Sequence, residues 1–436
     1  MRLFTIFTII PLTIFIFLSI INILKSFTGG KMKIQIYSLI MFLTSYLTGL
    51  LAPILTLALI DKGASLNNLS IILGLYALSV ILLELPSGMM ADIYGRKKTF
   101  VLSLIVFTIS FSLLLLGRGF IVLCIVMMFY GLARALASGS FDALFIDYYI
   151  DNYGKDKLHN ITTRLSILEA MGLSAGALSG GFFPELSLII PSIGTYDLNI
   201  IIRIVLTLAV AILSVVFIEE KANTEKKQRV SIKQHVNNSS AFVFKNNTVL
   251  CIFLSVFSTG FFLSALETYW QPHFITFFPD ESSTIFLGLM AFLYLGAAMI
   301  GSIISNNSIK KYKLNLRKMY LIMRALIALL LILTALQTNI PIFIAFYASI
   351  YLVFGMAIVP EGVILNWETP SEIRASVLSV KSFTMQVGGL TGSFLYSILI
   401  RFISIPSIWM LVAVVVLITV AIIARNFTKA ESIKTI

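Results

Sequence analysis

Charged residues are scarce in this chain. Asp, Glu, Lys and Arg make up 12% of its 436 residues, whereas 58% of the residues are hydrophobic. Soluble domains carry about 25% charged residues. Apolar runs long enough to cross a bilayer as helices recur along nearly the whole length, and the short alternating segments of a membrane barrel are missing. The composition therefore predicts a polytopic helical membrane protein.

Cysteine and histidine are scarce too, with two and three residues. Cys124 and Cys251 both fall inside apolar runs, so we expect them to pack there without forming a disulfide framework. His159, His235 and His273 are too scattered to provide metal-ligand spacing. The sequence therefore predicts no metal and no other cofactor.

Sequence motifs of catalysis and nucleotide binding are also missing. There is no Gly-x-x-x-x-Gly-Lys-Ser/Thr loop, which argues against an ATPase. No nucleophile, base and orienting group occur at a recognisable spacing, so we do not expect an enzyme. The net charge of +12 does not indicate nucleic-acid binding, because the cations lie in short loops between apolar runs, where they orient the chain in the bilayer.

Apolar segments of about 20 residues or more follow one another from residue 34. Their ranges are 34–60, 66–90, 99–117, 120–148, 160–184, 197–218, 248–275, 284–305, 317–337, 340–365, 375–401 and 405–425. A long polar segment, 219–247, divides them into two sets of six, 34–218 and 248–426, before a tail at 427–436. We therefore predict an all-α fold of twelve transmembrane helices in two six-helix bundles.

Residues 1–33 form a hydrophobic extension before the first of these spans. Met1 to Leu24 is apolar enough to span a membrane, but it lacks the small-residue cleavage site of a signal peptide. The stretch Thr28-Gly-Gly-Lys-Met32 resembles a fresh start, so we expect translation to begin at Met32. The alternative is a thirteenth helix.

Lys and Arg residues concentrate in the loops on one side of the predicted spans, whereas the opposite loops hold Lys62, Arg118 and Arg401. The positive-inside rule then places both ends of the twelve-helix body and the central loop in the cytoplasm. The abundance of Ile, Asn, Lys and Phe suggests a bacterial plasma membrane.

A charged turn lies between the second and third spans. Its fixed positions are Gly88, Asp92, Gly95, Arg96 and Lys97. A positive-inside hairpin would explain the lysine but not the acid or the glycines. The pattern Gly-x-x-x-Asp-x-x-Gly-Arg-Lys, at this place in the chain, resembles the signature of the major facilitator superfamily of transporters.

The resemblance implies that this turn is a conformational latch between the two halves. Asp92 would accept hydrogen bonds at the start of the eleventh helix, where the helix dipole favours an anion. Arg96 would pair with an acid at the end of the fourth helix: we expect Asp147, with Asp142 as the substitute, although Asp147 could also be a solvated helix-end acid. The corresponding stretch 301–311 has Ser305 in place of Asp92, so we expect a one-sided latch.

Arg134 lies in the middle of the fourth span, where a cation costs at least about 2.5–3.5 kcal/mol. The family has an arginine and a glycine-containing stretch there. Arg134 and Gly139 fit that pattern, but Ser138 stands where a glutamine is common. The resemblance implies a role for Arg134 in proton coupling. Further ionisable candidates inside or near the ends of spans are Glu84, Asp142, Glu169, Glu267 and Glu361.

The fifth span carries a stripe of small residues at Gly172, Gly176, Gly180 and Gly181. Small residues at this spacing let helix backbones approach closely, so general helix packing is one explanation. The spacing also resembles the Gly-x-x-x-Gly-Pro-x-x-Gly-Gly pattern of exporters in the superfamily, with Ala177 in place of proline. That resemblance favours an antiporter.

The seventh span combines an acid, two aromatic rings and an amide in Glu267, Tyr269, Trp270 and Gln271. Such a set could line a substrate cavity and bind an apolar or cationic compound. An aromatic belt at the membrane interface would explain Tyr269 and Trp270, but not Glu267.

The resemblance implies a secondary active transporter that works by alternating access. We expect proton-driven export of a small, partly apolar compound such as a drug or antibiotic. The alternatives are a proton-linked importer of a sugar or metabolite and a non-transporting membrane sensor on the same scaffold. The expected partners are a small-molecule substrate, protons and the lipid bilayer, with no nucleic acid, and we expect a monomer.

Overall fold

The computed structural model describes residues 32–138, 140–153, 158–190, 193–218, 243, 245–278, 284–312, 315–370 and 373–434. Within them all regular structure is helical. The helices are α1 Met32–Leu51, α2 Leu55–Asp61, α3 Leu66–Tyr94, α4 Arg96–Leu116, α5 Phe120–Ala137, α6 Ser140–Tyr153, α7 Leu158–Ser187, α8 Asp197–Phe217, α9 Asn247–Ile275, α10 Thr284–Tyr312, α11 Leu316–Ala335, α12 Ile340–Glu368, α13 Arg374–Leu399 and α14 Ile405–Lys434. Residues 1–31 of the hydrophobic extension, and residues 219–242 and 244 of the central loop, lie outside the described residues.

The helices confirm the prediction of an all-α polytopic membrane protein. Among the described residues, 11 candidate spans are long and apolar enough to cross a membrane. α13 is also long, at 26 residues, but is not among these 11. α8 exposes a row of large apolar side chains, as a helix facing lipid would: Val205, Leu208, Ile212, Val215 and Val216.

Two predicted spans are broken where the chain leaves helical geometry. The first, predicted as one helix over 34–60, divides into α1 and α2 on either side of Pro53, whose ring removes a backbone donor. The fourth divides after Ala137, because Ser138 has φ −56° and ψ 122°, an extended conformation that ends α5. α6 then begins at Ser140, so Arg134 and Asp142 lie on two successive helices.

Unit 1, the first of two compact units, comprises Met1–Lys62, Leu82–Ala222 and Asp280–Phe292. Its apolar core includes Tyr37 of α1, Phe100 of α4, and Phe141 and Phe145 of α6. The Tyr37 ring stacks on the Phe141 ring at a centroid distance of 6.0 Å. These aromatic contacts join α1, α4 and α6 around the charged groups described below.

Unit 2 comprises Gly63–Ile81, Asn223–Pro279 and Leu293–Ile436. α9 and α13 pack closely in it, because Gly388 on α13 lies against the backbone of Phe257 on α9. Trp270 and Trp409 are among its largest fully buried side chains. The first part of α3 belongs to this unit, and the first part of α10 belongs to unit 1. The boundaries of the two six-helix bundles, 34–218 and 248–426, stay a prediction.

A buried ion pair fixes the helix ends at one side of unit 1. Lys62 is 2% exposed, and its Nζ lies 2.6 Å from Oδ1 of Asp197, at the start of α8. The same Nζ donates a hydrogen bond to the carbonyl oxygen of Leu115 at 3.2 Å. Asp197 also accepts a hydrogen bond from the Gly194 amide at 3.0 Å. Lys62 therefore connects α2, α4 and α8 and is not a solvated loop cation.

Replacing Lys62 with methionine is expected to destabilise the protein, because it leaves the Asp197 carboxylate without its cation. Removing one partner of a buried pair costs about 3–5 kcal/mol, and less where one partner is partly exposed, as Asp197 is at 18%. The melting temperature of purified protein in detergent measures the effect. Arg118→Met is the matched control, since Arg118 is exposed, and equal melting temperatures for the two variants would contradict this role of Lys62.

Candidate functional site

A cavity of about 270 Å³ lies within unit 1. Five elements contribute polar or charged side chains to it: Thr44, Ser45 and Thr48 of α1, Arg134 and Ser138 at the end of α5, Asp142 of α6, Glu169 of α7, and Arg203 and Thr207 of α8. Phe100, Phe107 and Phe141 add aromatic rings. The structure thus brings together three of the residues that the sequence marked for proton coupling: Arg134, Asp142 and Glu169.

Arg134 lies one turn before the end of α5 and is exposed to the cavity, as are Asp142 and Glu169. The three charges act on one another electrostatically. A cation in a membrane span is costly unless it has a cavity or a partner, and Arg134 faces a cavity that also holds two acids. The break after Ala137 places the two carboxylates on separate helices, α6 and α7, on which they face the same space.

Arg203 has a different environment, although it also borders this cavity. It is 3% exposed and donates a hydrogen bond to the carbonyl oxygen of Leu47 on α1. Its guanidinium carbon lies 4.2 Å from the centroid of the Phe111 ring and 5.5 Å from that of Tyr130. Cation–π contacts of this kind are favourable, so Arg203 joins α8 to α1, α4 and α5.

The charged turn at residues 88–98 is also formed within unit 1. Gly95 has φ 102°, a conformation that favours glycine, and the next residue, Arg96, begins α4. Arg96 forms an ion pair with Asp147 of α6, and Lys97 donates to the carbonyl oxygen of Val215 at 2.8 Å. α3 runs through Asp92, but the Asp92 side chain lies outside the described residues, as does Gly139. A Cβ built on Gly88 meets no described atom within 4 Å.

A second ion pair has the same arrangement in unit 2. Arg317, the second residue of α11, lies 3.1 Å from Oε1 of Glu368, the last residue of α12. The guanidinium of Arg317 also lies over the Phe427 ring at 5.3 Å. The sequence analysis did not predict this pair, because it compared the charged turn with residues 301–311, which include neither Arg317 nor Glu368. Ser305, which stands in the place of Asp92, is buried and donates to the carbonyl oxygen of Met356 at 2.8 Å. This position therefore connects α10 to α12 by a hydrogen bond.

The glycine stripe of α7 faces two helices. Three of the glycines, Gly172, Gly176 and Gly180, lie against α1. A Cβ on each of them would overlap backbone atoms of Phe42, Tyr46 or Leu50. A Cβ on Gly181 would instead overlap the backbone of Gly288 on α10. The stripe therefore packs helices, whether or not it also serves an antiport mechanism.

Glu361 belongs to a buried polar network in unit 2. Its Oε1 lies 2.7 Å from Nζ of Lys381, and its Oε2 accepts a hydrogen bond from Tyr320 at 2.8 Å. Tyr320 Oη also lies 2.7 Å from Ser255 Oγ. Arg324, one turn further along α11, donates to the Ser255 carbonyl oxygen at 3.0 Å. This network links α9, α11, α12 and α13.

Glu84, a further candidate for proton coupling, is half-buried on α3.

The four predicted substrate-cavity residues of α9 have unlike environments. Glu267 is exposed, whereas Tyr269, Trp270 and Gln271 are 0%, 1% and 2% exposed. The Tyr269 hydroxyl forms a hydrogen bond with Ser70 on α3. Tyr269 and Trp270 therefore pack inside unit 2 and not in an interfacial belt.

A group of three tyrosines near Glu267 went unnoticed in the sequence. The rings of Tyr294 of α10 and Tyr347 and Tyr351 of α12 pack against one another, and all three tyrosines lie within electrostatic reach of Glu267. The spacing of four residues between Tyr347 and Tyr351 places both on one helix face, which was the available signal. Among the described residues, no group of three or more His, Cys, Asp or Glu side chains could hold a metal ion.

The family model described as Major Facilitator Superfamily matches residues 37–360 of the chain. The chain belongs to this superfamily. Within it, the chain is 27% identical to Quinolone resistance protein NorA of Staphylococcus aureus over 50% of this chain and 53% of the relative. It is 26% identical to Multidrug resistance protein 2 of Bacillus subtilis (strain 168), over 54% and 58%. The matches thus span little more than half the length of these curated relatives.

The fold is also that of solved transporters in the superfamily. The crystal structure of nucleoside transporter NupG aligns with a TM-score of 0.76 and 11% identity, over 91% of this chain and 99% of that chain. At this identity the likeness shows the fold alone. The protein is therefore a multi-span membrane protein of the major facilitator superfamily.

Proposed function

We propose that this transporter exports a small, partly apolar compound of the drug or antibiotic kind across the plasma membrane, driven by protons moving the opposite way. Alternating access of the two halves would expose the cargo to each side in turn. The names of two relatives, a multidrug resistance protein and a quinolone resistance protein, favour this cargo class. The nucleoside transporter shares only the fold with this chain, and a shared fold does not indicate which compound is transported.

The observation that carries the proposal is the set of charges in the unit 1 cavity. Arg134 faces two carboxylates, Asp142 and Glu169, on helices within spanning segments. Ionisable groups at such depth mark proton relays or substrate paths. The two acids share the cavity with two cations, Arg134 and Arg203, so binding or release of a single proton by one of the acids changes the net charge of the site.

The aromatic lining of the same cavity suits a partly apolar compound. Phe100, Phe107 and Phe141 border it beside the hydroxyl groups of Thr44 and Thr48. Sites for small organic molecules combine apolar walls with a few placed polar groups in this way. Proton and cargo would then influence each other through one shared space, which is what coupling requires.

Glu361 is less suited to carry the proton. Its carboxylate already has an ion pair with Lys381 and a hydrogen bond from Tyr320, which join α11, α12 and α13. Within this proposal it positions α12 and α13. Arg96 and Asp147 would form one latch, and Arg317 with Glu368 a second, each of which opens or closes with the transport cycle.

Everted membrane vesicles with an acidic interior test this function. Adding Nile red, rhodamine 6G or a quinolone should release protons from the lumen, seen as recovery of a pH-quenched dye. Asp142→Asn and Glu169→Gln should each reduce this release by about tenfold or more, because each removes a proton-carrying charge from the cavity. Asp61→Asn is the control, since Asp61 is exposed at the end of α2.

Lack of proton release across a broad panel of cations and neutral drugs would contradict proton-driven export. Cargo that moves in the same direction as protons would favour the importer. Membranes with normal protein content but no flux in any gradient would favour a non-transporting sensor.

A further inference from the structure

Two helices of unit 2, α11 and α14, each expose a stripe of large apolar side chains. Both helices are long and apolar enough to cross a membrane. Residues three or four positions apart lie on one face of a helix, so each set forms a continuous stripe. The members are, on α11, Ile322, Leu326 and Leu329 and, on α14, Val414, Ile418 and Ile422. The two stripes offer contacts for the acyl chains of lipids.

α11 and α14 are neighbours at the end where α11 begins. Leu316 of α11 shares one buried apolar core with Ile423 and Phe427 of α14. The guanidinium carbon of Arg317 also lies 5.3 Å from the centroid of the Phe427 ring. The first turn of α11 therefore lies beside the last apolar residues of α14, and both stripes run away from this common end.

A cation stands at this end of each stripe. Lys318 is exposed one turn before Ile322, and Arg425 is exposed one turn after Ile422. This spacing places each cation on the same helix face as the apolar residues that it adjoins. Among the described residues, no carboxylate forms an ion pair with Lys318. Two positive charges thus lie side by side at the edge of a surface that faces acyl chains.

Unit 1 has similar stripes without this pair of charges. α4 exposes Leu102 and Ile105 after an exposed cation, Lys98, and α8 exposes the apolar row described above. The last turn of α8, however, holds no basic residue. Paired cations on neighbouring stripes are therefore a feature of α11 and α14, which general exposure to lipid does not explain.

We propose that Lys318 and Arg425 bind the phosphate of an anionic phospholipid whose acyl chains lie along the stripes of α11 and α14. Packed helices lie about 8–10 Å apart, a distance that two long basic side chains span from either side of one phosphate. Arginine donates two parallel hydrogen bonds to such a group, and lysine adds a point charge. A zwitterionic lipid is bound less tightly, because its own cation offsets the attraction.

Native mass spectrometry of the purified full chain tests this site by comparing dioleoylphosphatidylglycerol with dioleoylphosphatidylcholine. The acyl chains are identical, so any preference reports the headgroup. We expect the first phosphatidylglycerol molecule to bind about tenfold or more tightly than the first phosphatidylcholine molecule. Lys318→Gln and Arg425→Gln should each reduce this preference by about fivefold, the contribution of one basic residue close to anionic lipid.

Arg401→Gln is the matched control, because Arg401 is exposed next to the opposite end of α14, and it should leave the preference unchanged. The double variant, Lys318→Gln with Arg425→Gln, should lose most of the preference. A full preference in the double variant, or an equal loss in Arg401→Gln, would overturn the site. Glycerol 3-phosphate, which has the phosphate but no acyl chain, should not displace the lipid at equal concentration. Displacement would show that the cations bind a free phosphate and not a phospholipid.

Discussion

Replacing Gly176 with alanine is expected to lower the stability of the purified transporter strongly. Gly176 faces α1, and a Cβ there would overlap the carbonyl oxygen of Tyr46 and the amide nitrogen of Leu50. Backbone atoms cannot rotate away as a side chain can. The overlap is relieved only when α7 moves off α1, which also loosens the contacts of Gly172 and Gly180 with the same helix.

Overpacking of this kind costs about 1–3 kcal/mol and occasionally more. We expect the melting temperature in detergent to fall by roughly 5 °C or more. Gly296→Ala on α10 is the matched control, because a Cβ there meets no described atom within 4 Å, and alanine favours a helix over glycine by up to ~1 kcal/mol. An equal fall for both variants would show that close α1–α7 packing is not the reason for Gly176.

Replacing Arg134 with glutamine is expected to abolish proton-driven export while leaving folded protein in the membrane. Arg134 is the cation that faces Asp142 and Glu169 across the unit 1 cavity. Without it, the two acids repel each other more strongly, because one of the two arginines that border the cavity is gone. Substrate-induced proton release in everted vesicles should fall by about tenfold or more, because the charge balance between Arg134 and the two acids is lost.

Two controls separate coupling from folding in that experiment. Arg134→Lys keeps the charge and should retain part of the proton release. Arg118→Gln removes an exposed cation and should have no effect. Full proton release by Arg134→Gln, at normal protein content, would show that Arg134 has no part in coupling.

The sequence was sufficient where one physical constraint dominates. A bilayer requires long apolar helices, so the helical spans from Ile34 onward were predictable from composition. Close backbone approach requires small residues, and Gly172 and Gly176 do lie against α1. The contact between Arg96 and Asp147 followed from placing a cation and an acid near the ends of neighbouring helices.

Other features depend on contacts between distant residues, which one sequence does not show. Lys62 has the sequence context of a loop cation, but it is buried because Asp197, 135 residues later, reaches it. Ser138 is followed by Gly139, and small residues of this kind also occur within packed membrane helices, so the sequence did not predict the extended conformation that separates α5 from α6. The second ion pair of Arg317 with Glu368, and the tyrosines around Glu267, are each assembled from separate helices.

The central claim is that export of cargo is coupled to protons moving the opposite way through one protein. It is tested most directly with purified transporter in liposomes, using rhodamine 6G and Nile red and an imposed pH gradient of either sign. We expect the transported dye to accumulate in liposomes that are acidic inside. Nigericin with potassium on both sides should abolish the accumulation, because it removes the pH gradient. Accumulation that requires an acidic exterior, or that is equal in the absence of a gradient, would contradict it.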